Sequence, residues 1–169
     1  MEPLVNRVAK SGLITIDLEQ YFPKEEIAVF DLKDHLFQGL VLREKDFREA
    51  VNAHDWSQYS DKVLLVYCSA DAIIPVWAFM LVASAAAPFA RSVFQGSREE
   101  YLKFAFLKAL ESIDPEQYAD KRIVIKGCSN KPVPPAAYAE LTRKLQPVVK
   151  SIMYGEPCST VPIFKKKVT

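Results

Sequence analysis

Glycine is scarce in this chain, with five in 169 residues, and the usual means of cradling a phosphate goes with it. There is no GxGxxG and no GxxxxGK[S/T], so neither a dinucleotide fingerprint nor a P-loop is present. HExxH and GxSxG are missing too, which removes the common zinc-protease and nucleophile-elbow readings. Histidine is scarcer still. His35 and His54 are the only two, and neither lies near a cysteine in sequence, so a Cys–His catalytic pair cannot be read. No charge of one sign dominates: Lys and Arg number 22, Asp and Glu 21, for a net charge of +1. That balance gives no electrostatic case for nucleic acid or an anionic membrane. The one basic run, Lys165-Lys166-Lys167, reads as a solvated tail. The N-terminal stretch has no apolar run of signal-peptide type, and three cysteines do not make a disulfide framework, so the expected home is the cytoplasm.

What is present describes a globular chain. Half of the residues are hydrophobic and a quarter charged, a composition that folds. The length fits one domain, 1–169. One uncharged stretch, Ala72 to Ala90, approaches the ~20 residues that cross a bilayer. Its alanine and serine content, Pro75 and Pro88 near its ends, and strand-like runs on either side argue instead for a buried crossover helix or a homodimer contact through Phe79, Met80 and Phe89.

Residues 1–58 read as a β-rich portion, with alternating runs at Leu13–Leu18 and Ile27–Leu32, a further strand at Gly39–Leu42 and a short amphipathic helix at Asp46–Val51. Residues 59–169 alternate strand and helix. Strands are expected at Val63–Tyr67, Ser92–Gln95, Ile123–Lys126, Ile152–Tyr154 and Ile163–Phe164. Between them lie helices at Arg98–Ile113 and, entered through Pro134-Pro135, Ala136–Gln146. Apolar strands alternating with helices predict an α/β fold with a parallel-rich mixed sheet, Rossmann-like βα units and flanking helices. A weak repeat runs through this portion. Gln58-Tyr59-Ser60-Asp61-Lys62, a strand and Cys68-Ser69 resemble Gln117-Tyr118-Ala119-Asp120-Lys121, a strand and Cys128-Ser129, with one residue inserted before the second cysteine.

The three cysteines share a setting. Cys68, Cys128 and Cys158 are each followed by serine, and two of them follow a strand-like run. Parallel strands would bring Cys68 and Cys128 to one edge, the carboxyl edge where α/β proteins bind ligands, with Cys158 beside them. Three thiolates there, with Asp71 as a fourth ligand, suit zinc, iron or an iron–sulfur cluster. Glu156 is a further donor. The same residues allow a thiol-dependent enzyme or sulfur carrier using Cys128 or Cys68, since both precede helix starts that would favour a thiolate. A third alternative is an interaction module whose cysteines are small buried hydrophobes. His54-Asp55-Trp56 is read as a packing anchor, and the mixed charges of Arg43–Glu49 as a solvated helix face.

Several segments across the chain carry a family resemblance: Phe37-Gln38-Gly39-Leu40, Lys45-Asp46-Phe47-Arg48, His54-Asp55-Trp56-Ser57, Cys68-Ser69-Ala70-Asp71-Ala72-Ile73, Lys126-Gly127-Cys128 and Gly155-Glu156-Pro157-Cys158-Ser159-Thr160-Val161-Pro162. With them the chain resembles an uncharacterised bacterial family, domain of unknown function 2480. The resemblance implies no established activity. It implies a link to iron–sulfur cluster assembly, with assembly proteins as partners.

Overall fold

The computed structural model describes residues 12–127, 130–156 and 158–167. The α/β class holds, but the strands divide between two sheets where the sequence suggested one. The chain forms two compact units. An inserted unit, Lys24–Tyr101, interrupts a host unit made of Met1–Pro23 and Leu102–Thr169.

The inserted unit contains β2 (Ile27–Asp31), α1 (Glu44–Ala53), β3 (Val63–Tyr67), α2 (Val76–Ala86) and β4 (Ser92–Gln95). Its three strands are parallel, in the order β2-β3-β4. The host unit contains β1 (Leu13–Asp17), α3 (Arg98–Glu111, from Leu102 onward), β5 (Arg122–Lys126), α4 (Pro135–Leu145), β6 (Ser151–Glu156) and β7 (Ser159–Lys165). Its sheet runs β1-β5-β6-β7, parallel except for the antiparallel β6–β7 hairpin. The two strands expected near the N-terminus therefore enter different sheets. The strand expected at Gly39–Leu42 does not form. Gln38 and Gly39 adopt positive φ, and a single bridge joins Phe37 to Val41.

The two units are copies of one design. Each reads strand, 3-10 turn, helix, 3-10 turn, strand, helix, strand, and each places its second strand between the other two. The four 3-10 turns start alike. The carboxylates of Asp17, Asp31, Asp55 and Asp114 accept the N–H of the residue two further on, satisfying an amide that the turn itself leaves open. Asp61 and Asp120 both adopt left-handed backbone, φ 62° and 56°, which aspartate tolerates better than most residues. Their amides donate to Phe89 and Val148, and the amides of Arg91 and Lys150 donate to Lys62 and Lys121. Gly96, just beyond β4, and Gly155, next to last in β6, adopt φ 143° and 116°, where a side chain would strain the backbone.

The cores match as closely. Phe47 and Phe106, Leu64 and Ile123, Ala78 and Ala137, Val82 and Leu141, and Ala86 and Leu145 are buried at equivalent positions. In both copies the second strand is apolar on both faces, as a strand covered on two sides requires. The uncharged stretch forms a shorter helix than its length allows. Proline at position 75 caps α2, and Ala78, Val82 and Ala86 face the core. Val76 and Met80 remain exposed, as do Ile73 and Phe89 beside the helix, while Phe79 packs on the core. Among the described residues no helix is long and apolar enough to cross a membrane.

Candidate functional site

In the host unit, three neighbouring strands end in charge. Asp17 closes β1, Lys126 closes β5 and Glu156 closes β6. The register pairs Asp17 directly with Lys126. The Lys126 Nζ lies 3.5 Å from Asp17 Oδ2 and 3.6 Å from Glu156 Oε1. The Glu156 and Asp17 carboxylates, in that order of effect, hold the ammonium above the usual lysine range. The cluster is partly exposed, Glu156 the most, and it holds a fixed cation at the sheet's carboxyl edge, where α/β folds place ligands. Asp17 also caps the turn at Leu18–Tyr21. From that turn Glu19 Oε1 accepts the Asn130 N–H at 2.9 Å, which ties the segment after β5 to the segment after β1. Gly127 lies against α4, and a Cβ there would come within 2.6 Å of the Tyr138 hydroxyl oxygen.

The cysteines fall around this edge unevenly. Cys158 is exposed in the turn of the β6–β7 hairpin, just beyond Glu156. Cys128 follows Lys126 and Gly127 in sequence and lies outside the described residues. Cys68 follows β3 and so belongs to the other sheet and the other unit. It is half-buried and packs on the inserted unit's hydrophobic core, as the structural reading of a lone cysteine expects. Asp71 is exposed in the same loop. Among the described residues, no three His, Cys, Asp or Glu side chains gather as a metal ion would need.

The equivalent edge of the inserted unit is built differently. Tyr67 stands where the host has Lys126. Asp31 caps its turn as Asp17 does, but it also accepts the Ser69 N–H at 3.0 Å, pinning the loop that carries Cys68. Burial pushes the Asp31 carboxyl up, yet the hydrogen bonds from Ser69 and Lys33 outweigh it and hold the group below the usual range. Both histidines of the chain lie in this unit, inside an aromatic cluster. Phe30 stacks on His35 with ring centroids 5.0 Å apart and on Trp56 at 5.2 Å. His54 meets Trp56 edge-on and bonds the Tyr59 hydroxyl at 2.9 Å. The reading of Trp56 as a packing anchor agrees, since its Nε1 donates to the Val51 carbonyl.

The charged strand-end cluster was not read from sequence. Its signal was available, because Asp17-Leu18 and Asp31-Leu32 are the first half of the repeat whose second half begins at Gln58 and Gln117.

Fold and edge together define a duplicated α/β protein with one charged, thiol-flanked strand edge. The chain belongs to a family described as protein of unknown function (DUF2480), which it matches over residues 2–166. No curated protein and no solved structure matches it.

Proposed function

We propose that the protein binds a thiophilic metal ion, zinc or iron, or an iron–sulfur cluster at the carboxyl edge of the host unit's sheet. In this reading it serves as a cytoplasmic accessory factor in iron–sulfur cluster assembly, with assembly proteins as partners. The Asp17–Lys126–Glu156 cluster carries the reading. It marks three adjacent strand ends, and Cys128 and Cys158 each follow two residues beyond one of its members. Cysteine thiolates suit these metals and clusters, Glu156 and Asp17 offer oxygen donors, and the Lys126 ammonium offsets the charge of an anionic centre. Because the described residues alone do not complete a ligand set, Cys128 is a required member. The set proposed here is drawn from the host unit, and Cys68 and Asp71 belong to the inserted unit. The test is metal and sulfide analysis of protein purified without oxygen. Bound metal in amounts approaching one site per chain, lowered by Glu156→Gln, supports the proposal, and metal-free protein contradicts it.

A second reading, thiol chemistry, is favoured by the same lysine, since a fixed ammonium stabilises a neighbouring thiolate. Rapid alkylation of one cysteine near neutral pH, slowed by Lys126→Met, would select it. A homodimer also belongs to the proposal, through the exposed Met80 of α2 and Phe89 beside it. A monomer in sedimentation rejects that part.

A further inference from the structure

Two neighbouring cavities, together called the cleft, lie between α4 and the β6–β7 hairpin, on the side of the host unit that has no counterpart in the inserted unit. On α4 its floor follows Pro135, Ala139, Thr142 and Gln146, residues that share one helix stripe and span about 16 Å at 1.5 Å per residue. A bulge in the hairpin at Ile152/Met153 leaves Ile163 without a partner. Bulges re-aim side chains, and Ile163 here lines the cleft as its neighbour Phe164 does.

The cleft has two sections of different chemistry. The first holds ≈ 560 Å³ and is walled by Tyr138, Ala139, Met153, Tyr154 and Ile163, with no charged side chain. The second holds ≈ 450 Å³ and ends at Arg143 and Lys166. Thr142 and Ile163 line the first and their chain neighbours Arg143 and Phe164 the second, so the two sections adjoin. Both cations already face carboxylates. Arg143 donates twice to Glu140, at 2.6 and 2.9 Å, and Lys166 lies 3.6 Å from Asp120. Arg143, Lys166 and Asp120 are largely exposed and Glu140 about a third so, and an anionic head would compete with Glu140 and Asp120 for the two cations.

The inserted unit shows that the fold does not demand this space. At the position of Ala139 it carries Met80, at Pro135 Val76 and at Met153 Phe94, and no strand follows its β4 in the sheet. Ala139 on α4, smaller than Met80, and the added, bulged β7 both line this space.

We propose that this cleft binds a single-chain amphiphile, its apolar tail between α4 and β7 and its anionic head on Arg143 and Lys166. The uncharged walls exclude a charged body, and the cationic end complements an acidic head. A carboxylate and a phosphate ester share that chemistry, and both are probed. This inference does not depend on the metal reading.

The experiment is calorimetric titration of the full chain with dodecanoate, dodecyl phosphate and dodecanol, all below their micellar or solubility limits. Saturable binding of one anionic chain per protein is expected, and comparing the two acids identifies the head. Arg143→Gln with Lys166→Gln should weaken the preferred acid by about tenfold or more and leave dodecanol unchanged. Ala139→Met, which installs the inserted unit's residue, should abolish binding of all three. Ile163→Ser is a second cleft variant, and circular dichroism and melting confirm that both variants fold. Met80→Ser, in the inserted unit, should leave binding of all three probes unchanged. Absence of saturable binding in the parent, full binding by both folded cleft variants, or loss in Met80→Ser alone would overturn the proposal.

Discussion

The host and inserted units begin from the same plan and diverge where chemistry is concerned. Their cores share buried residues at many equivalent positions, and their turns share paired left-handed aspartates and paired glycines. Their edges do not. The host ends three strands in Asp17, Lys126 and Glu156, while the inserted unit ends in Tyr67 and in an Asp31 spent on pinning a loop. The inserted unit holds His35, His54 and Trp56 in its aromatic cluster, where the host has Tyr21, Ile113 and Pro115. When two copies share a fold, features found in only one are not required by that fold, so the difference isolates candidates for function without reference to any other protein.

The strongest way to break this comparison is at the shared core. Phe47 and Phe106 are equivalent and almost wholly buried. Replacing either by alanine should destabilise its unit by about 3–5 kcal/mol, the transfer and cavity loss of a core phenylalanine. Urea unfolding followed by tryptophan fluorescence reads the inserted unit, because both tryptophans lie there, and hydrogen exchange reads the host. A cost below about 1 kcal/mol at either site would mean that the cores are not equivalent.

The paired turns give a smaller effect. Asp61→Val and Asp120→Val put a β-branched residue at φ 62° and 56°, and each should cost about 1–2 kcal/mol. Unequal costs would show that the two turns only look alike. Removing a turn cap should cost about 1 kcal/mol. Asp31→Ala is expected to free the Ser69 amide as well, and so to raise exchange in the loop carrying Cys68. Asp17→Ala instead leaves Lys126 with Glu156 alone.

A pH difference should be the subtlest. Burial lowers the affinity of His35 for a proton, with His54 adding to the effect and Asp34 and Asp31 opposing it. A histidine whose folded pKa lies below its unfolded value of about 6.5 favours folding at neutral pH. As pH falls through that value the unfolded chain takes up the proton first, so stability declines until the folded histidine also titrates. The inserted unit should therefore lose stability as pH falls through about 6.5, and His35→Tyr, the host's residue, should flatten that slope. An unchanged slope in the variant would assign it to other groups.

Much of the fold was legible in the sequence because its signals are local. Val63–Tyr67 and Ile123–Lys126 are short apolar runs of strand length, and Pro134-Pro135 marks a helix start. The division into two sheets was not legible. Strand partners are chosen by tertiary packing, and nothing in Leu13–Asp17 names β5, more than a hundred residues away, over the nearer β3. The strand expected at Gly39–Leu42 failed because its apolar run is too short to outweigh a Gln38-Gly39 turn. At the edge, the cysteines stand out as rare residues and Glu156 as a donor beside one of them, while Asp17 and Lys126 are hidden among common ones. Only the register that sets Asp17 opposite Lys126 makes them a cluster.

The central claim is that the host edge is chemical and the inserted edge structural, and the three Cys-Ser positions test it directly. Cys68→Ser, Cys128→Ser and Cys158→Ser should be prepared without oxygen, and metal content and melting temperature measured for each beside the parent. The account predicts that Cys128→Ser and Cys158→Ser lose metal, while Cys68→Ser keeps its metal and melts lower because the thiol packs on the inserted unit's core. Loss of metal in Cys68→Ser with retention in the other two, or a parent that holds none, would contradict it.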